Sequence, residues 1–75
     1  MTPQELRQLR EAMGLSQVGL YAAAQLGRSQ APNVQGMFVS RMERGARPIT
    51  RKTADRVMKL AVSMGVRLDH KGDTQ

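Results

Sequence analysis

Four of the seven glycines, Gly14, Gly27, Gly45 and Gly65, each follow a stretch in which apolar residues recur at helical spacing. Glycine adopts the left-handed backbone that closes a helix at little steric cost, so this punctuation predicts several short helices rather than one long one. Thr2-Pro3-Gln4-Glu5 reads as a capping box with proline at the first helical position. Leu6, Leu9 and Met13 continue it, predicting a first helix over residues 3–13. Ser16 caps a second over residues 17–26, thick with alanine, the residue of highest helix propensity. Pro32 disfavours helical backbone at Ala31, so residues 28–33 are expected to form a polar connection. A third helix should begin near Val34 or Gln35 and run to Arg44, with Met37, Phe38, Val39 and Met42 as apolar candidates. Thr50 caps a fourth, where Ala54, Val57, Met58, Ala61 and Met64 mark one face.

The expected fold is therefore all-α: a compact domain of four helices, or five, over residues 1–65, with an elongated connection between helices 2 and 3. Residues 66–75 are expected to be a tail, partly flexible or touching a partner subunit through Val66 and Leu68.

Composition removes whole classes of chemistry. The chain has no cysteine, which excludes a disulfide framework, a thiolate metal site and a cysteine nucleophile. Its one histidine, His70, stands in a polar stretch without neighbouring ligands. Glu5, Glu11, Glu43, Asp55, Asp69 and Asp73 are scattered, and no glycine-rich phosphate cradle is visible. No enzymatic activity, metal, cofactor or small-molecule ligand is expected. The segment after Met1 lacks the apolar core of a signal peptide, and the longest apolar run, residues 20–24, is far below the roughly 20 residues of a membrane span. A soluble, cytoplasmic protein is expected, associated with the nucleoid if it binds DNA.

Charge is more informative. Twelve Lys and Arg against six Asp and Glu give a net charge of +6. Between Arg41 and Lys59 seven bases face two acids, a net +5 in nineteen residues. Such a field favours a polyanion, through Coulomb attraction and counterion release. One tyrosine and one phenylalanine leave little platform for stacking unpaired bases, which disfavours single-stranded RNA. Double-stranded DNA is the better match.

Three segments carry a resemblance: Leu9-Arg10-Glu11-Ala12-Met13-Gly14-Leu15-Ser16-Gln17, Val39-Ser40-Arg41-Met42-Glu43-Arg44-Gly45, and the helix over residues 50–64. Together they resemble the Cro/repressor-type (XRE-like) helix-turn-helix family of small DNA-binding regulators, over roughly Leu6 to Gly65. The resemblance implies an ion pair between Arg10 and Glu43 that orients helix 3. The chain departs from the family in three places. The connection between helices 2 and 3 is about six residues longer, so either helix 2 is longer or Arg28, Gln30 and Asn33 lie on a loop that touches DNA. Tyr21 and Gln25 stand where the family has alanine and glycine, unless the register is shifted by two onto Ala23 and Gly27. Gly36 and Met37 fall where other members carry polar base readers.

Residue chemistry points the same way. A helix N-terminus offers free N–H groups to a phosphate, which places Ser16 and Gln17 at the backbone, Ser16 also serving as a cap. On helix 3, Gln35, Ser40 and Arg41 can reach base edges, arginine binding guanine and glutamine adenine. Met37 is either a packing residue or a thymine-methyl contact, and Phe38 a packing residue. Arg44, Arg47, Arg51 and Lys52, around Gly45 and Pro48, suit the sugar-phosphate backbone, whereas Arg56 and Lys59 should be solvated.

These readings lead to one expected function: a dimeric, sequence-specific transcriptional regulator of phage or bacterial type, an autorepressor binding a pseudo-palindromic operator through helix 3 in the major groove. Half-sites would lie one helical turn, about 34–36 Å, apart. The alternative is an antitoxin-like DNA-binding protein that also holds a protein partner, such as a toxin.

Overall fold

The computed structural model describes residues 1–66, which form four α-helices: α1 (Pro3–Ala12), α2 (Gln17–Ala24), α3 (Pro32–Glu43) and α4 (Arg51–Ser63). No strand occurs among the described residues. Most of the expected tail, with Leu68 and His70, lies outside them.

Local chemistry accounts for three of the four helix starts. The Thr2 hydroxyl accepts a hydrogen bond from the Glu5 backbone N–H at 3.1 Å, and the Thr2 N–H donates to the Glu5 carboxylate at 2.9 Å. The Ser16 and Thr50 hydroxyls likewise accept from the N–H groups of Gly19 and Thr53 at 2.9 and 3.2 Å. The fourth start differs. α3 opens on Pro32 itself, with Ala31 in an extended conformation as a cap that makes no side-chain hydrogen bond.

Two sequence-based boundaries are thereby corrected. Pro32 does not sit in the connection; it occupies the first turn of α3, where its missing N–H would have had no partner. Asn33, expected on the loop, is a helical residue. The second correction concerns the end of α2, which stops at Ala24 rather than Leu26, closed by Gln25 in the left-handed conformation at φ 54°. Gly27 is required for a different reason: a Cβ there would overlap the Tyr21 hydroxyl. The α2–α3 connection is thus residues 25–31.

Each helix contributes to one core. Leu6 and Leu9 of α1, Leu20, Tyr21 and Ala24 of α2, Val39 and Met42 of α3, and Val57 and Ala61 of α4 are buried, and Met13 joins them. Full burial of a leucine or valine is worth about 1.5–3 kcal/mol, so these few side chains carry most of the apolar stabilisation. The most extensive helix pair is α2 with α3, while α1 packs on α3 and α4 on α2. α4 turns Val57 and Ala61 inward, with Ala54 half-buried. Met58 and Met64, read from sequence as sharing that face, are exposed. Met58 lies about 100° round the helix from Val57, and Met64 stands beyond its last turn. No helix among the described residues is long and apolar enough to cross a membrane.

Candidate nucleic-acid interface

α3 has two faces because its side chains repeat every three to four residues. Val39 and Met42 are buried, and Phe38 packs against the core. Asn33, Val34, Met37, Arg41 and Arg44, the cap residue, are exposed, with Ser40 half-buried between them. The exposed residues follow the spacing of a single stripe. Gly36 helps to seat the opposite side: a Cβ there would lie 3.3 Å from Val18 of α2, so glycine permits the close approach of the two helices.

The end of α3 is held by a partly buried ionic cluster. Arg10 Nε donates to Glu43 Oε2 at 2.6 Å and Arg10 Nη2 to Glu43 Oε1 at 3.2 Å, a two-point contact of guanidinium with carboxylate. Arg10 Nη1 donates to the Leu15 carbonyl oxygen at 3.1 Å, and Gln17 Nε2 donates to Glu43 Oε1 at 3.2 Å. The two charged side chains are only 13 % and 6 % exposed, so the pair is shielded from solvent. The hydrogen bonds that Arg10 donates to Glu43 hold its pKa above the ordinary arginine value, with burial acting in the opposite direction. The negative charge of Glu43 is therefore spent inside the domain. It does not oppose the cations around it.

A second cluster joins the connection to the far end of α3. The Tyr21 hydroxyl accepts a hydrogen bond from the Ser29 N–H at 3.1 Å, and the Tyr21 ring meets Phe38 edge-on, centroids 5.4 Å apart. The Arg47 guanidinium lies over the other part of this pair, 4.3 Å from the Phe38 centroid. Gln35 Nε2 donates to the Ser29 carbonyl oxygen at 2.7 Å. Ser29 is thus held from two helices at once, which fixes the long connection against α3.

The residues expected at DNA fall into two groups. Met37, Arg41, Arg44, Arg47, Arg51 and Lys52 are exposed, as are Arg28, Gln30 and Asn33 on and beside the connection. Gln17 and Gln35, by contrast, already have internal partners, their amide nitrogens donating to Glu43 and Ser29; Ser16 is exposed and its hydroxyl caps α2 as expected, and Ser40 is half-buried. The amide reader of the stripe is turned inward. Met37, left open between packing and contact, is on the outside.

Arg56, expected to be solvated or peripheral, is exposed, but it also makes a contact that sequence reasoning passed over. Its guanidinium donates to the Gln25 carbonyl oxygen and so ties α4 to the end of α2. Arg28, Lys52 and Arg56 line one hollow there with Gln25, Leu26, Gly27 and Thr53. No local sequence signal links residues 31 positions apart. The start of α3 carried a signal that was missed: Pro32 stands at a first helical position, as Pro3 does. No protein-family model, curated protein or solved structure matches this chain.

Proposed function

We propose that this chain is a sequence-specific DNA-binding regulator of the Cro/repressor type that lays α3 in the major groove. The observation that carries this reading is the outward stripe of α3. Asn33, Met37, Arg41 and Arg44 project to solvent from one side of a helix whose other side is sealed into the core. Arg47, Arg51 and Lys52 extend the cationic surface beyond the helix, where phosphates flank a groove. Arg41 is the reader of a guanine, through the two-point contact of its guanidinium with O6 and N7. Phosphate-contacting cations position the helix without selecting a sequence.

The functional form we propose is a homodimer on a pseudo-palindrome. Met58 and Val62 are exposed one turn apart on α4, and Val62 is 68 % exposed. Two copies facing each other across α4 would cover these side chains, a self-complementary contact of the kind that makes two-fold dimers. A core this small gains from such burial.

The test is DNA footprinting of the wild type and Arg41→Ala side by side, in competitor DNA. Arg41→Ala should cost about 1–3 kcal/mol at the preferred site and relax selection at one or two base pairs. Equal binding of the wild type to random duplex at every salt concentration would refute sequence-specific recognition.

A further inference from the structure

Two bulky apolar side chains lead the outward stripe of α3: Val34 is 47 % and Met37 48 % exposed. Of the two amides in this half of the helix, Gln35 is drawn back to Ser29 and only Asn33 is exposed. Gly36 offers no side chain and faces Val18. The N-terminal half of α3 therefore presents Asn33 and an apolar pair, while its C-terminal half presents Ser40, Arg41 and Arg44. Surrounding cations favour a polyanionic partner over an apolar protein groove. On a base-pair edge in the major groove the apolar feature is the thymine C5-methyl.

We infer that Val34 and Met37 read thymine methyl groups, so that the half-site combines neighbouring A·T pairs with a G·C pair bound by Arg41. This rests on the DNA-binding reading above and adds the chemistry of the half-site to it. Helical rise sets the spacing. Val34 and Met37 are about 4.5 Å apart along the axis and Met37 and Arg41 about 6 Å. At about 3.4 Å per base pair, the two apolar side chains address adjacent pairs, and Arg41 a pair about two steps further. Methionine, unbranched and polarisable, adapts to a methyl group whose position shifts with groove width.

The experiment selects the full chain against a pool of random duplexes. Each thymine of the enriched half-site is then replaced by deoxyuridine, which keeps every hydrogen-bonding group and removes only the methyl. Two adjacent uracil-sensitive positions are expected, each weakening wild-type binding about fourfold, the effect of losing one buried methyl-sized group. Met37→Ala and Val34→Ala, both at exposed positions, should bind the thymine site about as weakly as the wild type binds the matching uracil site. Each should lose sensitivity at its own position, and Met37→Leu should retain it. Enrichment of a site with no thymine sensitivity would overturn this inference while leaving sequence-specific binding intact. Failure to enrich any duplex would overturn the DNA-binding reading, and this inference with it.

Discussion

The Arg47 guanidinium rests 4.3 Å from the centroid of Phe38, and Phe38 in turn meets Tyr21 at 84° between ring planes. This cation–π contact places the guanidinium over the ring face, beside the exposed surface where an anion could reach it. Lysine at this position keeps the charge but not the planar contact. Arg47→Ala should lower stability by no more than about 1 kcal/mol, the value of an exposed cation–π contact. On the proposed function it should also reduce the slope of log affinity against log salt by about 1, equally for all sequences. Arg47→Lys should keep the salt slope and retain part of the stability contribution, since an ammonium can also lie over the ring. Thermal melts and salt titrations of the two variants separate the effects.

The Arg10–Glu43 pair gives a different pattern for single and double substitution. Glu43→Ala would leave Arg10 partly buried without its counterion and should cost about 3 kcal/mol or more. Arg10→Met combined with Glu43→Leu removes both charges together but also the partners of the Leu15 carbonyl and the Gln17 amide, so urea denaturation should place this variant between Glu43→Ala and the wild type. A double variant as unstable as Glu43→Ala would mean that the pair contributes more than the burial of its charges costs.

Gly27 and Tyr21 should be coupled energetically. Gly27→Ala places a methyl group into the Tyr21 hydroxyl, and the ring is held in place by Phe38. Overpacking of this kind costs about 1–3 kcal/mol. Tyr21→Phe should cost about 1 kcal/mol by leaving the Ser29 N–H without its acceptor. Together they should cost less than the sum, because the phenylalanine ring removes the nearer of the two atoms that the methyl strikes and leaves only Cζ, at 2.9 Å. A double-mutant cycle by chemical denaturation measures the difference, and strict additivity would contradict the close approach.

Val62→Glu tests the proposed dimer. The position is exposed in a single copy, so the folded monomer should tolerate the charge within about 0.5 kcal/mol. At the interface of two copies the same substitution sets two carboxylates against each other. Light scattering at micromolar concentration should then show the wild type as a dimer and the variant as a monomer, with operator binding weakened in parallel. A wild-type monomer at concentrations that saturate the operator would refute the dimer, and a Val62→Glu dimer would remove α4 from its interface.

Helix content was legible in the residues because its signals are local. Thr2, Ser16 and Thr50 cap the N–H groups of neighbours three residues on, and Leu6, Leu9, Val57 and Ala61 recur at the spacing that defines a buried face. The partnership of Arg10 with Glu43 was carried by a resemblance, not by any spacing within this chain. What local signals could not reveal is how each polar side chain is used. Gln35 has the same chemistry whether it faces a base or Ser29, and Met37 the same whether it fills a core or meets solvent. Those choices depend on where the connection of residues 25–31 folds back, which Tyr21, Gln35 and Arg56 decide through contacts with Ser29 and Gln25. Periodicity sets which side of a helix is apolar. Only the packing of one helix on another selects, among the residues at the margin of that side, those that are covered and those left to bind.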